Sequence, residues 1–184
     1  MEKKCLVEVK DVGSAGFLTN SGILRLFEEV ACIHSEMAGF GLNQISETNL
    51  SWILLHWKVQ VFKRVKYNST VTIKTWSRNA SKCITYRDFE MYDENGTLLC
   101  IATSKWTLVK VSTGTITKIA PEVINCYNPE DNHNVFGELD IEKLKEPDVL
   151  AKTDVNPTYT FTVLRRDIDM NNHMHNLFYL DYAI

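Results

Sequence analysis

Hydrophobic positions in the first forty residues change from a weak alternation to a helical repeat. Alternation over residues 5–10 predicts a first strand, and a turn containing glycine follows over residues 11–17. A helix is predicted to begin at one of the capping residues 19–21 and to end near Gly39. Its apolar stripe consists of Ile23, Phe27, Val30, His34 and Met37, widened by Leu24, Leu26 and Ala31. A stripe this broad is typical of a buried helix, so we expect all of these residues in a core.

Four segments with the two-residue repeat of β-strands follow this helix. They are predicted over residues 50–64, 70–77, 82–92 and 97–111. In the first, Ile53, Leu55, Trp57, Val59 and Val61 share a face. The last two are joined by Asp93–Gly96, a hairpin turn with an Asn-Gly pair. One strand, one buried helix and a run of antiparallel strands predict an α+β fold with the helix laid across the sheet.

Periodicity is lost from Pro121 to about Pro157, where Asn, Asp, Glu and Pro become frequent. This segment is predicted to be a linker with one short helical turn at 141–144. A new strand over 159–166 and a second helix from His175 or Asn176 then repeat the order of the first forty residues. We therefore expect an N-terminal domain over residues 1–127, a linker over 128–156, and the start of a second domain, incomplete in this sequence, over 157–184.

Composition excludes several classes of protein. The 184 residues are 45% hydrophobic and 23% charged, as in ordinary globular proteins. A net charge of −3 argues against nucleic-acid binding through bulk charge, and no apolar run approaches the ~18 residues that span a membrane. The five cysteines are scattered and no signal peptide is recognisable. Reduced thiols and a cytoplasmic location are expected.

The candidate chemistry lies near the C-terminus, where Asp169, Asn171 and His173 stand two residues apart. An extended backbone would point all three side chains to one face. The free N–H groups at the start of the helix that follows would point to the same place and stabilise an oxyanion. A carboxylate, an amide, an imidazole and a helix N-terminus together suggest the attack of an activated water on a carbonyl.

Two other interpretations of the same residues remain open. Asp169 and the asparagines are also common in loops that cap a helix, with His173 merely solvated. Asp169, His173 and His175 are also a possible metal set on an extended segment, although no further Cys or His cluster supports it.

The stretch Asp167 to Tyr179 resembles the signature of acyl-ACP thioesterases, D-x-D-x-N-x-H-V-N-N-x-x-Y. It keeps both aspartates, the spaced Asn and His, the later Asn and the Tyr, and departs at His175, where the family usually has Asn. The resemblance extends over nearly the whole chain through landmarks of the family's N-terminal domain. These are Trp57, Thr75-Trp76, Arg87-Asp88-Phe89, Gly96, Ser104, Trp106 and Pro121.

The resemblance implies a bacterial-type enzyme related to the plant oleoyl- and acyl-ACP thioesterases. It implies a hotdog fold, a long helix wrapped by an antiparallel sheet, in a tandem double hotdog whose second copy is truncated here. The family's first hotdog holds the acyl chain and its second supplies the catalytic residues, so Asp169, Asn171 and His173 are expected to be catalytic. The family's downstream acidic or Cys residue cannot be assigned in this sequence.

The implied reaction releases free fatty acid from acyl carrier protein in fatty acid biosynthesis and needs no cofactor and no metal. Asn176, Arg165 and Arg166 are the expected substrate-binding residues. Because the carrier protein is strongly acidic, a basic docking patch is expected at residues 63–66 or at Arg165-Arg166. A homodimer is possible. Two alternatives remain, a hotdog thioesterase acting on acyl-CoA and a non-catalytic acyl-binding or dimerisation module.

Overall fold

An antiparallel sheet organises the N-terminal part of the molecule. The computed structural model describes residues 1–137, 141, 160–169 and 173–183, which divide into two units, Met1–Ile141 and Glu142–Ile184. The strands described in the first unit are β1 (Glu2–Leu6), β2 (Leu50–Val61), β3 (Thr70–Ser77), β4 (Ile84–Tyr92), β5 (Leu98–Lys110) and β6 (Thr115–Thr117). Their order is β1-β3-β4-β5-β2, and β6 pairs with the end of β5. The helices are α1 (Asn20–Met37), α2 (Ile45–Thr48) and α3 (Pro121–Asn125).

Helix α1 packs across one face of this sheet and forms the core, as the apolar stripe predicts. Thr19 caps it by accepting a hydrogen bond from the N–H of Gly22 at 3.0 Å. Phe27 is fully buried and stacks on Phe89, with ring centroids 4.8 Å apart. Burying a side chain of this size contributes about 1.5 to 3 kcal/mol. The core position predicted for Met37, at the end of the stripe, is wrong, because this residue is 74% exposed.

Strand β2 departs from the predicted alternation because it contains a β-bulge. Its pairing with β5 shifts register between Leu54 and His56. The extra residue reverses which side chains face the core. Trp52 therefore packs against buried residues before the bulge and Trp57 after it. Ile53 and Leu55, predicted to share the face of Trp57, are 36% and 40% exposed for this reason. Val59, which follows the bulge, is 37% exposed without being moved to the other face.

Several predicted strand boundaries also move, and two of the shifts have a visible local cause. The first strand ends at Leu6, because Val9–Asp11 forms a 3-10 helix in place of the predicted strand end. Strand β4 begins only at Ile84, since Lys82 has a φ of 57° and lies in a turn. The Asp93–Gly96 turn is confirmed, with the N–H groups of Asn95 and Thr97 donating to the Asp93 carboxylate.

Residues 128–137, at the start of the predicted linker, contact the sheet. Trp76 donates its indole N–H to the carbonyl of His133 at 2.7 Å, and the two rings stack with centroids 4.3 Å apart. The N–H of Asn79 donates to Asp131 at 2.8 Å. The predicted helical turn at 141–144 lies outside the described residues, except for Ile141.

The second half of α1 lies over a buried cation. Arg87 of β4 is 6% exposed, and its Nη1 lies 2.9 Å from Nδ1 of His34 and 3.3 Å from Oγ1 of Thr75. The ring of Tyr127 also lies against this guanidinium. Burial lowers the pKa of Arg87 to about 10, and burial together with the charge of Arg87 lowers the pKa of His34 to about 4.

The lowered pKa of His34 predicts a loss of stability in weak acid. Below its ordinary pKa of 6.5 the histidine binds a proton in the unfolded chain but not in the folded one. Stability is therefore retained above pH 6.5 and lost as the pH falls towards 4. We expect about 1 kcal/mol more loss between pH 7 and pH 5 in the wild type than in His34→Gln, after allowance for solvent screening. Urea titrations followed by tryptophan fluorescence measure this, and parallel losses in both proteins would contradict it.

Candidate active site

Of the residues with candidate chemistry, Asp169 and His173 lie outside the described helices and strands. Residues 160–164 form no strand, and Arg165–Asp167 is a 3-10 helix, so the strand predicted over 159–166 is wrong in its described part. Ile168 and Met174 form an isolated antiparallel bridge that closes the loop between them. Inside that bridge the N–H of Asp169 donates to the carbonyl of His173 at 2.8 Å.

Asp169 and His173 are brought together at the two ends of this loop. The N–H of His173 donates to Oδ1 of Asp169 at 3.1 Å, a bond that aspartate commonly makes to nearby backbone. Asp169 is half-buried and His173 is exposed. The prediction of an extended backbone through these residues is therefore wrong. Asn171 lies outside the described residues, so its convergence with the other two stays a prediction.

The second helix begins where the sequence predicts. Helix α4 (Asn176–Ala183) starts at Asn176, and the ring of His175 caps it by accepting the N–H of Leu177 on Nδ1 at 3.4 Å. The N–H of Phe178 donates to the carbonyl of His175. An imidazole nitrogen thus supplies the acceptor that the family's asparagine would offer. These two N–H groups are used within the cap, which corrects the expectation that the first turn leaves them free for an oxyanion.

The predicted substrate-binding residues lie on both sides of the loop. Arg165 and Arg166 are exposed before it, and half-buried Asn176 follows it as the first residue of α4. The side chain of Arg166 is 76% exposed, with Nε 3.6 Å from Oδ1 of Asp167. Among the described residues no group of three or more His, Cys, Asp or Glu side chains is placed to hold a metal ion. The metal interpretation therefore gains no support from the described part of the chain.

Asp167 is the residue at this site to which the sequence assigned no role. It is 1% exposed, and its Oδ2 accepts the N–H of Leu164 and the hydroxyl of Tyr182, both at 2.8 Å. Its main-chain carbonyl accepts the N–H of His175 at 2.8 Å. The bond from Leu164 is the main reason that the pKa of the Asp167 carboxyl lies below its ordinary value. An aspartate in the equivalent turn of both halves was the signal that could have revealed it.

The same frame of hydrogen bonds occurs at Asp11, 156 residues earlier in the chain. Oδ2 of Asp11 accepts the N–H of Glu8 at 2.9 Å, and its carbonyl accepts the N–H of Thr19 at 2.9 Å. The matching contacts at Asp167 involve Leu164 and His175, each 156 positions later. The isolated bridge between Val12 and Leu18, the bond from Gly13 to the carbonyl of Phe17, and the start of α1 at Asn20 all recur with this offset. The internal repeat predicted from layout is thus present in the backbone.

The two copies of this loop differ in the residues that carry chemistry. Gly13 occupies the position of Asp169, and Phe17 occupies that of His173. Ala15 corresponds to Asn171 in the sequence. Only the second copy therefore offers a carboxylate, an amide and an imidazole on the loop.

Comparison with known proteins identifies the family. The family model for the acyl-ACP thioesterase N-terminal domain matches residues 1–127. The chain belongs to the acyl-ACP thioesterase family. Oleoyl-acyl carrier protein thioesterase 1 of Arabidopsis thaliana is 26% identical over 201 residues, which include 100% of this chain and 53% of that protein. The chain thus spans about half the length of the curated relatives it matches.

Solved structures of acyl-ACP thioesterases have the same fold. A putative oleoyl thioesterase from Lactobacillus plantarum superposes with a TM-score of 0.82 at 22% identity, covering 98% of this chain and 68% of that one. An acyl-ACP thioesterase from Bacteroides thetaiotaomicron gives a TM-score of 0.80 at 23% identity, covering 100% and 71%. The α+β hotdog fold expected from the resemblance is confirmed.

Proposed function

We propose that this chain carries the acyl-binding domain and the catalytic loop of a thioesterase that releases free fatty acid from acyl carrier protein. Membership of the acyl-ACP thioesterase family supports this role. The observation that carries it is the difference between the two loops, because Asp169 and His173 replace Gly13 and Phe17 on the same backbone frame. Similar frames with different side chains indicate a function added to a shared structure.

In the proposed reaction, the imidazole of His173 takes a proton from a water molecule whose oxygen attacks the thioester carbonyl carbon. The tetrahedral intermediate then breaks its C–S bond and leaves the fatty acid and the thiol of the carrier, which receives the proton. Asn171 orients the water or the carbonyl. Asp169 holds the main chain of His173 through its N–H, which sets the position of the base. No step requires a cofactor.

The acyl carrier protein is the proposed partner, with Asn176, Arg165 and Arg166 as the residues that meet its acyl-phosphopantetheine arm. Both arginines are exposed and lie within eight residues of His173 along the chain, which supports this assignment. We place the reaction in a reducing compartment such as the cytoplasm, since all five cysteines are free. No described helix is both long and apolar enough to cross a bilayer. The homodimer stays a prediction.

Thiol release from acyl-ACP and acyl-CoA tests the proposed activity. We expect hydrolysis by a chain extended to the length of its relatives, faster with acyl-ACP than with acyl-CoA, and a loss of at least 100-fold in kcat in His173→Ala, which lacks the base. His133→Ala is the matched control, because His133 lies outside the loop. Equal rates for the two carriers would favour an acyl-CoA thioesterase, and no activity on either carrier would favour a non-catalytic acyl-binding module.

Docking of the acidic carrier protein should depend on Arg165. We expect Arg165→Glu to weaken binding about 5- to 10-fold at low salt, with most of the effect lost at high salt, because screening removes exposed charge interactions. Lys10→Glu makes the same charge change at another exposed site and serves as the control. Binding measured by fluorescence anisotropy with labelled carrier protein decides this, and unchanged affinity in Arg165→Glu would remove Arg165 from the docking surface.

A further inference from the structure

Asp167 connects the three segments that determine the position of the catalytic loop. Its carboxylate holds Leu164 on the chain entering the loop, and its carbonyl holds His175 on the chain leaving it. The hydroxyl of Tyr182, almost two turns into α4, donates to the same carboxylate oxygen. Asp169 follows Asp167 by two residues, so these bonds fix the main chain close to Asp169.

Tyr182 is itself held in place by a ring contact. Its ring stacks on Phe161 with centroids 4.0 Å apart and planes 8° apart. This contact restricts the ring to one plane, so the hydroxyl is directed before it bonds to Asp167. The bond from Asp167 raises the pKa of Tyr182, which keeps the phenol protonated as a donor.

In the first copy, the buried aspartate has a different side-chain partner. There the carboxylate of Asp11 pairs with Arg25, one residue short of the position that matches Tyr182. The residue that does match Tyr182 is Leu26, which is 3% exposed and part of the core. A cation therefore neutralises the buried carboxylate in the first copy. In the second copy a phenol donates to one carboxylate oxygen, and Nε of the exposed Arg166 lies 3.6 Å from the other.

We propose that Asp167 and Tyr182 form a positioning pair that holds Asp169 and His173 in their reactive geometry. The pair does not touch the substrate. The N–H groups of Leu164 and His175 and the hydroxyl of Tyr182 all donate to Asp167. These three bonds fix the distance between the start of the loop and the first turn of α4. The assignment of a reactive loop rests on the proposed thioesterase function, but the positioning itself does not.

Tyr182→Phe tests the pair by removing one hydroxyl. Tyr179→Phe is the matched control, because Tyr179 lies on the same helix and is 60% exposed. In the extended chain we expect Tyr182→Phe to lower kcat about 10-fold with KM within twofold of wild type, because the loop carries the reacting groups. Asp167→Asn should lower kcat at least as much. Tyr179→Phe should leave both constants unchanged.

Histidine-selective NMR of the 184-residue chain tests the positioning pair separately from the thioesterase function. We expect Tyr182→Phe to shift the ring signals of His173 and His175 while those of His34, His56 and His133 stay in place. Unchanged signals for His173 and His175, or an equal fall of kcat in Tyr179→Phe, would overturn the positioning pair. An inactive wild-type extended chain would instead overturn the thioesterase function, and the NMR result would still decide the role of Tyr182.

Discussion

A buried aspartate closes the loop in front of a helix in both halves of this chain. Its carboxylate accepts an N–H from three residues earlier, and its carbonyl accepts one from eight residues later. A buried carboxylate is costly unless its oxygens are bonded, so the loop cannot open without losing these bonds in a low-dielectric setting. In the first half these bonds hold Glu8 and Thr19, and in the second half they hold Leu164 and His175.

The two halves use this frame for different purposes. In the first, the helix after the loop carries a broad apolar face, and its packing on the sheet builds the core around Phe27. Glycine and phenylalanine on the loop leave it without ionisable groups. In the second, an aspartate and a histidine occupy those positions, and the proposed chemistry depends on this exchange of side chains on a shared backbone geometry. Function then follows from the site and not from the fold.

The elements best predicted from the sequence are those with local physical causes. The extent of α1 follows from its capping threonine and apolar stripe, and the β4–β5 hairpin follows from its Asn-Gly turn. The bulge in β2 was not predicted, since the consecutive apolar residues Ile53, Leu54 and Leu55 fit either phase of the alternation. The buried cation at Arg87 was also missed, because its burial depends on how α1 crosses the sheet.

At the candidate site, too, some features could be predicted from the sequence and others could not. The residues of the motif and the start of α4 could be read from the sequence, but the path of the loop could not. Asp169 turns the chain back on itself through a bond to the N–H of His173, which competes with the extended backbone that a two-residue spacing suggests. Asp167 acts mainly through bonds to main-chain N–H groups. Such bonds do not depend on which residue carries the N–H group.

Site-resolved amide hydrogen exchange tests most directly whether one frame holds both loops. The N–H groups of Thr19 and His175 donate to the carbonyls of Asp11 and Asp167 in matching positions. If the frame closes both loops, both amides should exchange at least 100-fold more slowly than in an unstructured peptide. Protection at Thr19 with peptide-like exchange at His175 would contradict the account, because the bond from His175 to Asp167 would then not close the second loop.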